Sequence, residues 1–265
     1  MSSPIFWFLK EPMCHNVKIS NTISLNHLHP SKWRILEVLH EHDSQKYEGA
    51  EDPSYASIQL TCAEVGGSSR RAFMRIVMQI PFSKTEHEDS AVRGKQATST
   101  TFRTPGFLAF MTFAKNASTV TPRFLGYRDD RQGSSGPVPG GFITYYAWEV
   151  VPGKPLGDYT GDANEFWTLD KDERDKIRSA FKDTFLKLTS MGILPDCPGP
   201  SNLVWDSDTE TLTWVGFWDC EDIKPMPWKE QWLPAFDLVH VPNNTWVDSS
   251  WPGSTLALDT SEWEY

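Results

Sequence analysis

Ala72-Phe-Met-Arg-Ile-Val-Met-Gln-Ile80, closed by Pro81, is the stretch on which the fold turns. It is apolar, rich in strand-forming residues, and carries a single charge, Arg75. A proline at its end stops a strand, because proline has no N–H for the ladder. Just before it, Ser57-Ile-Gln-Leu-Thr-Cys62 alternates polar and apolar residues, as a half-buried strand does. Gly66-Gly-Ser-Ser69 supplies a turn between them, so the two runs read as a β-hairpin. With period two, Phe73 and Arg75 share one face.

Working outward, residues 1 to about 30 show no sustained periodicity and read as an extended arm or irregular cap. Trp33 to His40 reads as a strand or a short helix, and Asp43 to Pro53 as a loop. Downstream, Lys84 to Thr101 is polar and of mixed charge, the pattern of an exposed, mobile loop. Pro105 to Lys115 has helical spacing, with proline in the first turn. Pro122 to Tyr127 and Phe142 to Glu149 read as strands joined by a long hairpin loop, Arg128 to Gly140. Val151-Pro-Gly-Lys-Pro-Leu156 breaks the pattern and marks a lobe boundary.

The longest predicted helix runs from about Asp170 to Met191. Ile177, Phe181, Phe185 and Leu188 form its apolar stripe, acidic residues crowd its start, and Gly192 follows its end. Asn202 to Trp205 and Leu212 to Val215 then make a short hairpin. The tail from Lys224 holds five Trp and five Pro and reads as irregular segments with short helices. The class is α+β, with a β-rich lobe at 1–150, arm included, and a reduced, mainly helical lobe at 151–265 carrying a Trp/Pro-rich tail.

Composition narrows the function. The formal charge of −10 on 265 residues argues against a nucleic-acid partner, whose phosphates need a Lys/Arg surplus. No basic run suggests a membrane surface, and the apolar patch Ile5 to Leu9 is too short for a signal core or a span. The chain reads as a cytoplasmic, soluble protein. Cys14, Cys62, Cys197 and Cys220 are scattered without a CxxC pair, and the seven histidines show no metal-ligand spacing. Twelve Trp and fifteen Phe admit two readings: a Trp-rich core, or aromatic walls around an apolar ligand.

The order of elements, with Phe73 to Pro81, Thr121 to Tyr127, Val138 to Phe142, Glu149 to Leu156, Arg174 to Phe181 and Asn202 to Asp206, resembles the protein-kinase-like superfamily. The closer likeness is to its aminoglycoside-phosphotransferase and choline-kinase branch, and within that to fungal kinase-like proteins. The resemblance covers most of residues 55 to 223 and implies a two-lobed kinase-like fold with an antiparallel sheet in the first lobe. It places Arg75 where kinases hold the phosphate-gripping Lys. The partner Glu of that Lys falls near Gly106 or Leu108, neither acidic. The base Asp falls on Cys197, one residue from Asp196, within Pro195-Asp-Cys-Pro-Gly-Pro-Ser-Asn202. The magnesium Asp falls on Gly216 in Trp214-Val-Gly-Phe-Trp-Asp219, with Asn202 retained.

Three carboxylates are therefore replaced, and these supply nearly all of a kinase's electrostatic positioning. The resemblance then implies a degenerate kinase whose interlobe cleft takes a small organic molecule, with no cofactor and no metal. A cyclisation, isomerisation or cycloaddition in a biosynthetic pathway fits that role. The alternatives are a non-catalytic pseudokinase acting through a protein partner, and a residual ATP-dependent phosphotransferase. Arg75, Asp196 and Asp219 are the candidate catalytic residues. Phe73, Glu149, Asn202, Trp205, Trp214, Phe217 and Trp218 are the candidate ligand-binding residues.

Overall fold

The computed structural model describes residues 6–8, 17–66, 70–158, 160–196, 198–242 and 258–265. Its contacts group the chain into two compact units. One is Met1–Arg103 with Phe124–Val150, and the other is Thr104–Arg123 with Val151–Tyr265.

The first unit is built on a six-stranded sheet. Its strands are β1 (Thr22–Leu25), β2 (Ser31–Ser44), β3 (Tyr55–Glu64), β4 (Arg71–Gln79), β5 (Phe124–Arg131) and β6 (Phe142–Glu149). The order is β1-β2-β3-β4-β6-β5, and every neighbouring pair is antiparallel. The predicted β3–β4 hairpin is present, and its alternation sends Ile58, Leu60, Cys62, Met74, Ile76 and Met78 into one buried core. Burial pushes the Cys62 thiol up to about 12, so it sits in that core as a neutral, small apolar group.

Within the stretch expected to be an arm or irregular cap, Thr22–Leu25 forms β1. Trp7 and Phe8 are buried in the same core, and their backbone N–H groups both donate to the Glu41 carboxylate. The Trp7 indole donates to Asp43 at 3.1 Å. The two edge strands are also tied together. Asn26 and His27 donate their backbone N–H to the Tyr127 carbonyl at 3.2 and 3.0 Å, so the sheet curls back on itself. The close approach needs Gly126, whose φ is +131° and where a Cβ would sit 2.6 Å from the His27 carbonyl.

The segment expected to be an exposed, mobile loop contains α1 (Ser90–Gly94) and is pinned by glutamines. Gln79, 1 % exposed, donates to the Gln96 carbonyl at 2.7 Å, and Gln96 in turn accepts from the Phe82 N–H and donates to Thr85. A buried amide must find partners, and these fix the segment's path. Gln132 does the same for the β5–β6 hairpin, donating to the Gln79 carbonyl and accepting from the Val138 N–H.

The second unit contains α2 (Pro105–Lys115), a two-residue strand β7 (Lys154–Pro155), α3 (Asn164–Trp167) and α4 (Lys171–Ser190). After these come β8 (Ile193–Pro195), a 3-10 turn at Pro200–Asn202, β9 (Leu203–Asp206), β10 (Thr211–Trp214), β11 (Cys220–Asp222) and α5 (Trp232–Ala235). Asp170 caps α4 by accepting the Glu173 N–H at 2.9 Å, and Gly192 follows the helix with φ +78°. Ile177, Phe181, Phe185 and Leu188 are fully buried, each contributing roughly 1.5–3 kcal/mol from apolar burial. Helix α2 lies within residues 1–150, the span expected of the first lobe. It groups instead with the second unit, where Gly106 lies directly on the Phe217–Trp218 backbone and Trp214 donates its N–H to the Val120 carbonyl.

Candidate functional site

In the first unit, β-sheet register lines up one polar row on the face opposite the core. His40, Gln59, Arg75, Tyr146 and Tyr127 stand directly across from one another on five successive strands. Arg75 is 5 % exposed. It donates to the Gln59 side-chain oxygen at 2.9 Å and to the Tyr146 hydroxyl at 3.2 Å, and its guanidinium carbon lies 5.4 Å from the Trp148 ring centroid. These contacts explain how a guanidinium tolerates the middle of a sheet, since it is weakly hydrated and favours ring faces.

Parallel rows flank this one. On one side Phe73 and Trp148 are opposite each other, with ring centroids 6.0 Å apart, and Glu37 stands across from Thr61. On the other side run His42, Ser57, Val77, Thr144 and Asp129. Burial, then the neighbouring His42 and Arg75, lower the pKa of His40, while a hydrogen bond with Gln59 opposes them. Burial raises the Asp129 carboxyl, but the two-pronged Arg103 bond at 2.7 and 2.6 Å, with Thr144 and His27, holds it below its ordinary value. Ser57 is 1 % exposed, and its hydroxyl has no hydrogen-bond partner among the described residues.

In the second unit, Asn202 ties the turn before β9 to the chain that leaves β10. Its side-chain oxygen accepts the Gly199 N–H at 2.9 Å, and its Nδ2 donates to the Val215 carbonyl at 3.1 Å. Its backbone N–H donates to the Gly199 carbonyl and its carbonyl accepts from the Val215 N–H. Gly216, next in the chain, has φ +83°, and a Cβ there would overlap the Asn202 Nδ2. At Gly106 a Cβ would overlap the Phe217 carbonyl and lie 2.8 Å from that of Trp218. Phe217 fills the space beyond, 4.6 Å from the Phe113 ring and 6.1 Å from the Phe110 ring.

The structure brings some of the predicted residues together and separates others. Asp196 and Asp219 are both exposed and joined by backbone, the Asp196 N–H donating to the Asp219 carbonyl at 3.1 Å. Phe73 and Arg75 share the polar face, as period two requires, whereas Glu149 stands opposite Ala72 and falls on the other face. Trp214 is fully buried among Phe181, Phe185 and Phe236, its indole donating to Thr184 at 3.0 Å. Trp205 is 5 % exposed and donates to Glu173 at 2.7 Å, and Trp218 is partly exposed with its N–H on the Gly216 carbonyl. Cys197 lies outside the described residues.

Sequence reasoning missed His40, His42, Ser57, Gln59 and Tyr146. Two bulges, between Ile35 and Glu37 and between Val38 and His40, shift the alternation of β2 and hide its two imidazoles. Among the described residues, no group of three or more His, Cys, Asp or Glu is placed to hold a metal. No described helix is long and apolar enough to cross a membrane.

No protein-family model matches the chain, and no curated protein matches it. Among solved structures it overlaps the granulovirus kinase PK-1 of Cydia pomonella, at 12 % identity and a TM-score of 0.38, over 69 % of this chain and 52 % of that one. The chain thus spans about half the length of that kinase, and an overlap this loose carries no information about activity.

Proposed function

We propose that the chain is a kinase-like protein that no longer transfers phosphate and binds a small organic molecule on the Arg75 face of its N-terminal sheet. Gly216 carries the reading. In the kinase alignment it stands where the magnesium carboxylate belongs, yet its backbone has φ +83° and a side chain would collide with Asn202. Gly106, near the place of the helix Glu, is likewise closed by the Phe217 and Trp218 carbonyls. Asn202 spends both ends of its amide holding Gly199 and Val215. A divalent ion bridging two phosphates needs oxygen ligands at these points, and phosphoryl transfer depends on that positioning.

What the face offers is a buried cation framed by Trp148 and Tyr146, with Phe73 beside it. Such a surface suits a ligand with a flat apolar part and a polar group. Holding a flexible molecule in one reactive shape lowers a barrier without a nucleophile or a metal, as a cyclisation, isomerisation or cycloaddition requires.

Titration of the full chain with magnesium-ATP, read by calorimetry and thermal shift, tests this. The expected result is no heat and no shift, while affinity selection from a cell extract enriches a small organic molecule. Saturable magnesium-ATP binding that disappears in Asp196→Asn or Asp219→Asn would show that those carboxylates have replaced the lost ones, and would overturn the reading. A stable protein partner with no small molecule enriched would overturn it in favour of a non-catalytic pseudokinase.

A further inference from the structure

We infer that Trp7 and Phe8 form a proton-dependent strap, seated in the core of the first unit while the Glu41 carboxyl is neutral and released as it ionises. The inference stands apart from the proposed function. Its first support is where β2 points its acids. Glu41 stands directly opposite Ile58 and Asp43 opposite Ala56, and both of these β3 residues belong to the apolar core. Side chains paired across a ladder share a face, so the two carboxyls are directed to the core side of the sheet. The two bulges earlier in β2 set this phase, and they send His40 and His42 to the opposite face.

The second support is how the Glu41 carboxyl is used. Its Oε1 accepts the backbone N–H groups of both Trp7 and Phe8. Its Oε2 is sealed from solvent and has no hydrogen-bond partner among the described residues. A carboxylate shares its charge between both oxygens, so an ionised Glu41 would leave part of that charge buried and unanswered. The neutral acid keeps its carbonyl oxygen for the two N–H groups and carries no charge on the other. Burial raises the carboxyl above its ordinary value, the Trp7 and Phe8 N–H bonds oppose this, and the neighbouring Asp43 adds to it.

The neighbours of Glu41 leave the proton as the variable. From β3 it meets Ile58 and Ala56, and from the strap the rings and backbone of Trp7 and Phe8, all uncharged. Among the described residues, Asp43 is the charged group that acts on it. The Trp7 indole donates to Asp43 at 3.1 Å, so both acids of the pair grip the strap, and both rings are fully buried in the core. Because docking raises the carboxyl, the seat is firmest below the ordinary value of about 4.3, and it loosens as pH rises through the higher value of the docked state.

Hydrogen exchange of the Trp7 and Phe8 amides in the full chain, followed from about pH 4.5 to about pH 7.5, tests this. Glu41→Gln is the reference, since its side-chain carbonyl accepts the same two N–H groups and never ionises. The protection of wild type relative to Glu41→Gln at each pH cancels the intrinsic pH dependence of exchange. That ratio is expected to fall at least about threefold across the range. Asp43→Asn keeps an acceptor for the indole and removes the neighbouring charge, so it should move the fall to lower pH. Trp7 and Phe8 should also exchange faster than Leu60 of the same core, as release of the strap alone requires. A ratio constant within about twofold, a ratio that rises with pH, or Trp7 and Phe8 exchanging no faster than Leu60 would overturn the inference. Should Glu41→Gln fail to fold, wild type and Asp43→Asn decide it: identical pH profiles of Trp7 and Phe8 protection in the two would overturn it as well.

Discussion

Replacing Gly216 by alanine introduces one methyl group at a place where the backbone and a buried amide both forbid it. At φ +83° a Cβ costs about 1–2 kcal/mol by crowding its own carbonyl. The methyl also overlaps the Asn202 Nδ2, so the amide must swing away. That gives up its bonds to Gly199 at 2.9 Å and Val215 at 3.1 Å, each with a net value of about 1 kcal/mol. The total is about 3–4 kcal/mol, a large part of the 5–15 kcal/mol typical of a folded domain. Asn202→Ala alone loses the same two bonds, about 2 kcal/mol. The double variant should keep only the backbone term on top of that, again about 3–4 kcal/mol, which makes the two changes non-additive by about 2 kcal/mol. Urea unfolding followed by near-ultraviolet circular dichroism on the four proteins measures this. Additivity within about 0.5 kcal/mol, the usual error for independent sites, would refute the collision. So would a Gly216→Ala cost under about 1 kcal/mol, the low end of the backbone term.

Phe217→Ala should cost about 3–5 kcal/mol in the same assay, because the ring is 3 % exposed between Phe110 and Phe113. Thr184→Val should cost about 1–3 kcal/mol by stranding the Trp214 indole N–H in the core. The Asp129 carboxyl is held below its ordinary value, so its contribution is present above pH ~4, the unfolded value, and is lost as pH falls through the lower folded value. The stability gap between the wild type and Arg103→Gln should therefore narrow from pH 5 downward, as measured by urea midpoints. His40 titrates below its ordinary value chiefly through burial, then His42 and Arg75. Protonation therefore disfavours the folded state as pH falls below about 6.5, and His42→Gln should move the His40 NMR midpoint upward.

Much of this architecture was legible in the sequence where one period dominates. The stripe from Ile177 to Leu188 can only be a helix face, and Asp170 and Gly192 mark its ends. The alternation in Ser57 to Cys62 fixed the strand and, with it, the face that carries Arg75. Illegible were features set by contacts distant in sequence. Trp7 and Phe8 show no periodicity, and only a distant Glu41 and the core face of the sheet give them a place. Trp205 and Trp214 look alike as residues in a hairpin, and a pocket wall and a core plug draw on the same aromatics. What separates them from a lining role is the position of Glu173 and Thr184, one helix away. The glycines at 106 and 216 registered only as lost carboxylates, because a sequence does not say what lies where a side chain would have been.

The tie between His27 and Tyr127 has a consequence for synthesis. The two residues are about a hundred positions apart, and β6, which must lie between β4 and β5, ends at Glu149. At the usual 5–20 residues per second, roughly 6–25 seconds pass on the ribosome between the emergence of His27 and that of Glu149. From the emergence of β4 until that of β6, the edge of β4 that β6 will pair, with its core residues Met74 and Ile76, lacks its neighbour. A nascent chain in this state is a natural client for a holdase, and cotranslational arrest before residue 149 should leave it aggregation-prone.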